Sequence, residues 1–518
     1  MPALAGWLTG EQVSPEVIEQ TLSAMGTVLG QHGGEPTQSV LPGAGFISFA
    51  DTAYAMQQSD ESPVLDWVPD RRTLVYRRPL SGQHPLYFIE NWPAQGNVIF
   101  ASEIKALFAV GAPRRIHLGA LAALWRYGFI PAPWTIFRDI QIVPAGSILR
   151  WQRAKIVVNQ ATDYQLEQVQ SEIDTHERLH TLLDEVSAAY LPQHEQLVAF
   201  TNGAASSAMA ICMAAQHTDT PFPIATLGDK KSLSAKIWQA ADQVAAACER
   251  PFIAITGVDQ PEFWLTTLTA IEAPALDTRP YALHQLFHTT TAETGARAAL
   301  TGLGAKVLMA DMREREAAAG SDILAQYQDL LMQSPRQASD PPWSAETREA
   351  LAQEERWEDT LQARKLARKA EQFADRQQGL HYLDLHMRLP DYIVGPAQQL
   401  ALQERLSLRS PYLSARSIDI ITRMPHRQHF KAEVLNTLAT RYLRDLSSQT
   451  PALALPCTSL FGDSEIVQQL LAPEAIRATG IFDANAVQQL LAQRKGAEQA
   501  LLYVFTTQMF CQLFQTEI

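Results

Sequence analysis

Between residues 196 and 305 the sequence alternates short apolar runs with longer segments of helical spacing, and this alternation restricts the possible folds more than any other feature. Four runs have the length and composition of buried strands: QLVAF (196–200), PFPIATLG (221–228), PFIAIT (251–256) and RAALTGLG (297–304). Two helical segments separate the first three runs: AMAICMAA (208–215) and SAKIWQAADQVAAAC (234–248). Strands that alternate with long helices predict a parallel, doubly wound sheet.

The loop TNGAASS (201–207) follows the first of these strands and precedes a helix. A buried strand, a tight turn of small residues and a helix N-terminus form a natural anion site, because the first N–H groups of the helix point into the turn. The loop contains no acidic residue and a single glycine, Gly203. Two interpretations stay open, a phosphate-binding loop and an ordinary strand-to-helix turn.

Residues 1–155 show a different pattern, with short β-like runs separated by Gly, Pro, Asn and Asp. The runs are GFISFAD (45–51), TLVYRR (73–78), PLYFIEN (85–91) and NVIFAS (97–102), and helical spacing follows in SEIKALFAVG (102–111) and LGALAALWRYGFI (118–130). This pattern predicts a strand-rich α+β domain over 1–155. The alternating region and the helical segments after it predict a second domain over 156–518.

Composition excludes several classes of protein. The chain has 518 residues and a net charge of −13, which argues against a nucleic-acid or anionic-membrane surface. It has no run of about 18 apolar residues and no basic, apolar leader, so we expect a cytoplasmic protein without a membrane span. Its cysteines are Cys212, Cys248, Cys457 and Cys511. Because they are far apart and form no CxxC pair, we expect reduced thiols rather than a zinc site or a disulfide framework.

Several motifs carry a family resemblance. In the N-terminal half they are FASEIKAL (100–107) and YGFIPAPWTIF with the following VPAG (127–146). Later segments in the matching order are EAPALDTRPYALHQLF (272–287), ALTGLGAKVLMADM (299–312) and LSLRSPYLSARSIDIITRMP (406–425). Over nearly its whole length the chain resembles the asparagine synthetase B family, which includes β-lactam synthetases and lasso-peptide cyclases.

The resemblance implies an α/β protein with an N-terminal Ntn-hydrolase-like α+β sandwich, a glutaminase that frees ammonia. An adenine-nucleotide α-hydrolase-like (PP-loop) doubly wound parallel sheet with extra C-terminal helices would follow. That second domain would adenylate a carboxylate with Mg·ATP, and a nucleophile would then form the amide.

The glutaminase motifs of the family are altered here. The family's amidotransferases use a cysteine at position 2, where this chain has Pro2, and an expected Arg-Asp pair reads Arg77-Arg78. We therefore expect no glutaminase activity. This loss does not by itself exclude ligase activity, because β-lactam synthetases also lack the cysteine and remain active ligases.

The family's pyrophosphate loop reads Ser-Gly-Gly-x-Asp-Ser-Ser, and its aspartate holds Mg²⁺. The matching residues of this chain are Thr201, Asn202, Gly203, Ser206 and Ser207. Ala205 stands where the family has its aspartate. We interpret the segment as a vestigial pyrophosphate loop that keeps hydrogen-bond donors and lacks the metal ligand.

The second nucleotide segment of the family reads Gly-x-Gly-Ala-Asp-Glu. Gly302 and Gly304 match it, whereas Lys306 and Val307 replace both acids. Lys306 could contact a phosphate directly as a point charge, or it could be an ordinary surface lysine. Two further residues of this predicted nucleotide or substrate segment are Asp277 and Arg409.

Other candidate groups are weaker. The stretch ALPCTSLFGD (454–463), where the family has its late catalytic lysine, contains no lysine, and Lys431 lies in an earlier helix. Cys457 could act as a nucleophile, but no histidine follows it. His284 and His288 are one helical turn apart and could suit a metal, although packing or solvent-facing roles are favoured.

Three functions follow, in order of preference. The first is a pseudoenzyme that serves as a binding, regulatory or scaffolding partner, beside an active family homologue or another protein of a specialised biosynthetic pathway. The second is an active ATP-dependent amide ligase with a rebuilt site, and the third is ATP-independent chemistry in the same cleft. We expect no cofactor and no metal under the first, and ATP with Mg²⁺ only under the second. A homodimer stays open.

Overall fold

The computed structural model describes residues 3–10, 13–50, 64–166, 172–202, 204–228, 235–257, 260–309, 322–331, 341–425, 430–443, 464–493 and 496–517. Gly203 and the stretch 454–463, with Cys457, lie outside these ranges, so the predictions made for them lie outside the described residues.

The N-terminal domain is a pair of antiparallel sheets with helices. Its described strands are β1 (Ala3–Leu8), β2 (Glu35–Leu41), β3 (Ala44–Ala50), β4 (Val64–Val68), β5 (Thr73–Arg77), β6 (Tyr87–Glu90), β7 (Val98–Ala101), β8 (Gln141–Ile142), β9 (Ser147–Gln152) and β10 (Lys155–Gln160). Its described α-helices are α1 (Pro15–Leu29), α2 (Ile104–Phe108) and α3 (Leu118–Tyr127). One sheet has the strand order β2-β3-β1-β7-β6-β8 and the other has the order β10-β9-β5-β4.

Strand β1 is buried along its whole length because its two faces enter different cores. Leu4 and Leu8 belong to a cluster that includes Trp151 of the four-stranded sheet, so the two sheets pack face to face. Trp7 belongs to a second cluster, which includes Ile18 of α1. This alternation is the two-residue period of a strand. It places a helix on the outer face of the sheet, and the predicted α+β sandwich is confirmed.

The predicted domain boundary after residue 155 falls on the first residue of β10. Because β10 pairs antiparallel with β9 from Lys155 to Gln160, the N-terminal sheet extends to Gln160. The segment after 155 begins as an edge strand, and the next helix in the described residues begins at Glu172.

The C-terminal domain is built on a parallel sheet with the strand order β13-β12-β11-β14-β15. Its strands are β11 (Leu197–Phe200), β12 (Ile224–Leu227), β13 (Phe252–Ile255), β14 (Ala298–Thr301) and β15 (Ser407–Arg409). The first four coincide with the predicted apolar runs. The chain runs outward from β11 to β13 and then crosses to β14, so the doubly wound sheet is confirmed, with its topological switch between β11 and β14.

Helices cover this sheet and form the rest of the domain. Those in the described ranges are α4 (Glu172–Ala189), α5 (Ala205–Gln216), α6 (Ala235–Ala247), α7 (Phe263–Ile271), α8 (Arg279–Thr294), α9 (Ala305–Leu308), α10 (Ile323–Leu331), α11 (Ala345–Gln353), α12 (Leu361–Ala370), α13 (Arg376–His386), α14 (Gly395–Gln403), α15 (Ala415–Thr422), α16 (Phe430–Ala439), α17 (Glu465–Leu470), α18 (Pro473–Thr479), α19 (Ala484–Gln493) and α20 (Glu498–Phe514). A π-helical segment, Leu389–Val394, leads into α14. None of the helices in the described ranges combines the length and apolarity needed to cross a bilayer.

A buried carboxyl group links the two domains. Glu272, at the end of α7, accepts hydrogen bonds from the backbone N–H groups of Ile104 (2.8 Å) and Lys105 (2.7 Å) in the first turn of α2. The Lys105 ammonium forms an ion pair with Glu103 at 2.6 Å. A helix terminus leaves its first N–H groups without partners in the helix, so Glu272 caps a helix of the N-terminal domain from the C-terminal domain.

This carboxyl group makes stability depend on pH. Burial, followed by the charge of Glu103, raises the pKa of Glu272 to about 7, while Lys105 opposes the shift. Because this pKa lies above its ordinary value, the stability contributed by Glu272 is fully present below about pH 4.5 and is lost as pH rises through about 7. We expect the free energy of unfolding of the wild type to fall between about pH 4.5 and pH 7 relative to that of Glu272→Gln, whose amide does not titrate. Urea titrations of both proteins across this range measure the difference in their free energies of unfolding. Parallel pH profiles of the two proteins would contradict the prediction.

Candidate functional site

The candidate site lies at the topological switch of the parallel sheet. The TNGAASS loop leaves the carboxyl end of β11, and the second nucleotide segment leaves the carboxyl end of the neighbouring β14. In open α/β sheets, ligands bind outside the carboxyl ends of the strands at such a point. The fold therefore brings together the two segments that the sequence assigned to one site.

The polar groups of the loop bond largely to the loop itself. The hydroxyl groups of Thr201 and Ser207 are 2.7 Å apart, and Ser207 Oγ donates to the carbonyl of Ala204 at 3.0 Å. The side-chain oxygen of Asn202 accepts from the N–H of Ala204 at 3.2 Å. Ala204 is the N-cap of α5 and supplies no side-chain cap. The three side chains thus stabilise a compact turn.

The second segment packs directly against this turn. A Cβ atom built on Gly302 would lie 2.7 Å from the backbone nitrogen of Ser207 and 2.9 Å from Ser206 Oγ, so only glycine fits there. Tyr412 donates from its hydroxyl group to the carbonyl of Ser206 at 2.9 Å, and Ser410 Oγ donates to the carbonyl of Leu303 at 2.7 Å. Three segments distant in sequence therefore meet at this edge.

The positions that replace the family's acids have different surroundings. Gly304 has a φ of 84° and begins the short helix α9, where Lys306 is exposed. Val307, by contrast, is only 4% exposed and belongs to a hydrophobic core that also contains Leu389 and Leu413. Its backbone carbonyl accepts a hydrogen bond from the buried His381 at 3.0 Å. The position where the family has its glutamate is therefore part of the apolar core.

These residues do not fit the Mg²⁺ that the family's nucleotide would bring. Mg²⁺ prefers carboxylate oxygens and waters in a near-octahedral arrangement. Ala205, Lys306 and Val307 supply no carboxylate, and the described residues contain no group of three or more His, Cys, Asp or Glu suited to a metal.

Arg409 and Asp277 make contacts with other parts of the chain. Arg409 donates to the carbonyl of Tyr190 at 2.6 Å and to Glu195 at 3.1 Å. Asp277 accepts hydrogen bonds from the hydroxyl group of Tyr392 and from the N–H of Arg279. Arg409 thus fixes β15 to the segment after α4, and Asp277 lines a cavity between the domains. Their assignment to a nucleotide site stays a prediction.

The paired histidines converge on a residue that sequence spacing does not reveal. His284 Nε2 lies 3.0 Å from Glu404 Oε1, and His288 Nδ1 lies 3.2 Å from the same oxygen. His284 also contacts the hydroxyl group of Thr267 at 2.9 Å. Burial raises the pKa of Glu404, but the hydrogen bond and charge of His284 and then His288 outweigh it, so the net shift is downward. These contacts join α8 to α14.

Two cysteines that are distant in sequence are neighbours in the fold. The sulfur atoms of Cys212, in α5, and Cys248, just after α6, lie 3.0 Å apart. Their mutual hydrogen bond is the largest influence on both groups, raising the pKa of Cys212 and lowering that of Cys248. Both thiols are free, as is that of Cys511.

Matches to two protein-family domains agree with this architecture. A glutamine amidotransferase domain matches residues 65–164, and asparagine synthase matches residues 202–513. No curated protein matches the chain. A solved structure of NMN synthetase from Francisella tularensis covers 45% of this chain and 93% of its own, at 12% identity and a TM-score of 0.20. Since the asparagine synthase match spans more than half of the sequence, the chain belongs to the asparagine synthase family.

Proposed function

We propose that this chain is a catalytically silent member of its family, which acts by binding a partner rather than by making an amide. The burial of Val307 carries the proposal: a position that would hold a metal ligand is 4% exposed within an apolar core. A carboxylate there would lose its hydration without gaining a cation partner, which is costly. Restored metal binding would therefore require repacking of the core as well as one substitution.

The loop supports the same proposal. With Ala205 in place of an acid and the hydroxyl groups of Thr201 and Ser207 bonded to each other, the turn is stable without phosphate. Removing one contact that stabilises a transition state costs about 10²–10³ in rate, so several such losses leave activity near background. Under this proposal the protein needs no cofactor.

The proposal extends to partners and location. We place the protein in the cytoplasm, with a protein partner: an active homologue, another member of a biosynthetic pathway, or a second copy of the chain. Nucleic acid is not a partner in this proposal, because the net charge is −13. Membrane binding is not part of it either.

Calorimetric titration with ATP, with and without Mg²⁺, tests the proposal. We expect no heat of binding and no thermal stabilisation at millimolar nucleotide, and no ATP–pyrophosphate exchange with any carboxylic acid. The double variant Ala205→Asp/Lys306→Asp restores the two more accessible acids and shows whether the assay detects Mg²⁺-dependent binding on this scaffold.

Two outcomes would overturn the proposal. ATP binding that is indifferent to Mg²⁺, lost in Lys306→Ala and kept in Lys236→Ala, would indicate a rebuilt nucleotide site. Lys236 is a suitable control because it is also exposed but lies on α6. Formation of AMP and pyrophosphate by the wild type would indicate an active ligase.

A further inference from the structure

Cys212 and Cys248 bring two thiols together where α5 meets the turn after α6. Their sulfur atoms are 3.0 Å apart, although 36 positions separate the two residues in the sequence. The sulfur atoms of a disulfide are about 2.0 Å apart, so a small rotation of the two side chains would bring this pair to bonding distance. The pair is therefore a candidate for covalent modification by oxidation.

The backbone around each cysteine is fixed, so the fold itself holds the two thiols close together. Cys212 lies within α5, and Cys248 directly follows α6, where its N–H donates to the carbonyl of Val244 at 3.1 Å. The N–H of Arg250 donates to the carbonyl of Ala245 at 3.0 Å and closes the turn. Groups that are already held in contact react more readily than free ones, because little further conformational freedom is lost.

A second connection, through Arg250, joins the same two segments. Its guanidinium group donates to the carbonyls of Ala215 at 3.0 Å and Thr218 at 2.7 Å, which follow Cys212 closely in the chain. The guanidinium group also lies over the ring of Phe222, 5.1 Å from the ring centre. The segments that carry the two cysteines are therefore linked by polar contacts as well as by helix packing.

The two thiols differ in access and in acidity. Cys248 is half-buried, whereas Cys212 is 6% exposed and belongs to an apolar cluster that includes Leu197 and Ile211. The hydrogen bond from Cys212 lowers the pKa of Cys248, burial opposes this shift, and the charge of Arg250 adds to it. The same hydrogen bond and burial raise the pKa of Cys212. Because the thiolate is the attacking form of cysteine, Cys248 is the thiol that meets a small reagent first.

We propose that Cys212 and Cys248 form a thiol–disulfide exchange site, at which a small disulfide such as oxidised glutathione converts the pair into a reversible crosslink between α5 and the end of α6. The Cys248 thiolate attacks one sulfur of the small disulfide, whose sulfur–sulfur bond breaks and releases one thiolate. Cys212 then loses its proton and attacks Cys248 Sγ, and the other half of the reagent leaves as a second thiolate. Overall, two protein thiols are oxidised to one disulfide, and one small disulfide is reduced to two thiols, which carry the two protons.

The crosslink would close a loop that contains β12 and α6. Closing a loop restricts the unfolded chain more than the folded one, so the oxidised protein should be the more stable form. We expect its thermal unfolding midpoint to lie at least about 3 °C above that of the reduced protein. Circular dichroism of the two forms measures this difference.

Treatment of the full-length chain with excess oxidised glutathione, followed by mass spectrometry of tryptic peptides without reduction, tests the proposal. We expect one linked pair of peptides that carries Cys212 and Cys248 and is two hydrogen atoms lighter than the separate peptides. Neither peptide should retain glutathione, because the second thiol displaces it. Addition of dithiothreitol should return both thiols.

Variants then test the order of the two steps. Cys212→Ala removes the second thiol, so Cys248 should retain one glutathione and should react at least about tenfold faster than Cys511. Cys248→Ser should leave Cys212 as a thiol, because Cys212 is buried. Cys511→Ala is the matched control, since Cys511 is also free and 6% exposed, and burial raises its pKa to about 11. This variant should form the crosslink as the wild type does.

The peptide map of the wild type needs no variant, so the test stays decisive if a variant does not fold. Any of four results would overturn the proposal. The first two are that both cysteines stay as thiols in excess oxidised glutathione, or that glutathione accumulates on Cys248 of the wild type without the linked peptides. The others are that the crosslinked protein unfolds at or below the midpoint of the reduced protein, or that Cys212 in Cys248→Ser reacts as fast as Cys248 in Cys212→Ala. None of these measurements uses nucleotide, so they do not depend on the test of the proposed function.

Discussion

Val307→Glu should lower the free energy of unfolding by about 3–5 kcal/mol, because it places an unpaired charge in an apolar core. Val307 is 4% exposed, and its core includes Leu389 and Leu413. The added volume would also strain a closely packed region. Urea denaturation, followed by circular dichroism, measures the loss.

Two controls separate charge from size at this position. Val307→Gln adds nearly the same volume without the charge, so the difference between the two variants isolates the cost of ionisation. Val307→Ile adds one methylene group and should cost much less. A different result would contradict the proposal that position 307 cannot hold a metal ligand. In that result, Val307→Glu changes the free energy of unfolding by less than about 1 kcal/mol, and Mg²⁺ with ATP raises the urea midpoint of this variant.

We expect Glu272→Ala to lower the free energy of unfolding by about 2–5 kcal/mol, because two buried N–H groups would lose their acceptor. The groups belong to Ile104 and Lys105 in α2, and the contact joins the two domains. The loss should also appear as faster amide hydrogen exchange in the first turn of α2.

A glutamate at the other end of helix α7 offers a matched control. Glu262 precedes α7, whereas Glu272 ends it, and Glu262 is exposed. Glu262→Ala should change stability by no more than about 0.5 kcal/mol. Glu272→Gln keeps one acceptor oxygen and should fall between wild type and alanine. If Glu262→Ala and Glu272→Ala cost the same, Glu272 does not cap α2.

Much of the fold follows from local sequence. Strands β11 to β14 and the helices beside them agree with the predicted runs, because their buried faces impose apolar periodicity over several consecutive residues. Strand β15 escapes prediction, since Ser407–Arg409 is too short to show a period and is a strand only because β14 pairs with it. Strand β10 alternates exposed and half-buried positions over much of its length, so it gives no strong apolar signal, and the N-terminal sheet continues past residue 155 without a sign in the sequence.

The candidate site is predictable only in part. The TNGAASS loop and Gly302 can be assigned to one site because the strands before them, β11 and β14, are parallel and therefore end at the same edge of the sheet. The partners of Arg409, His284 and Cys212 are Glu195, Glu404 and Cys248, which lie between 36 and 214 positions away in sequence. No local pattern encodes such contacts. The interdomain cavity escapes prediction for the same reason, since its wall comes from several distant segments of both domains.

The hydrophobic core containing Trp7 also includes Val198 of the parallel sheet and Phe514 of the last helix, so one core extends through both domains. The two sequence modules are consequently not independent folding units, and removing either would leave an apolar face of the other in water. Under the proposed function, this shared core is a sufficient reason for the N-terminal half to persist without glutaminase activity. Selection on the stability of the whole chain would then act on the positions of the shared core and leave positions outside it free to change.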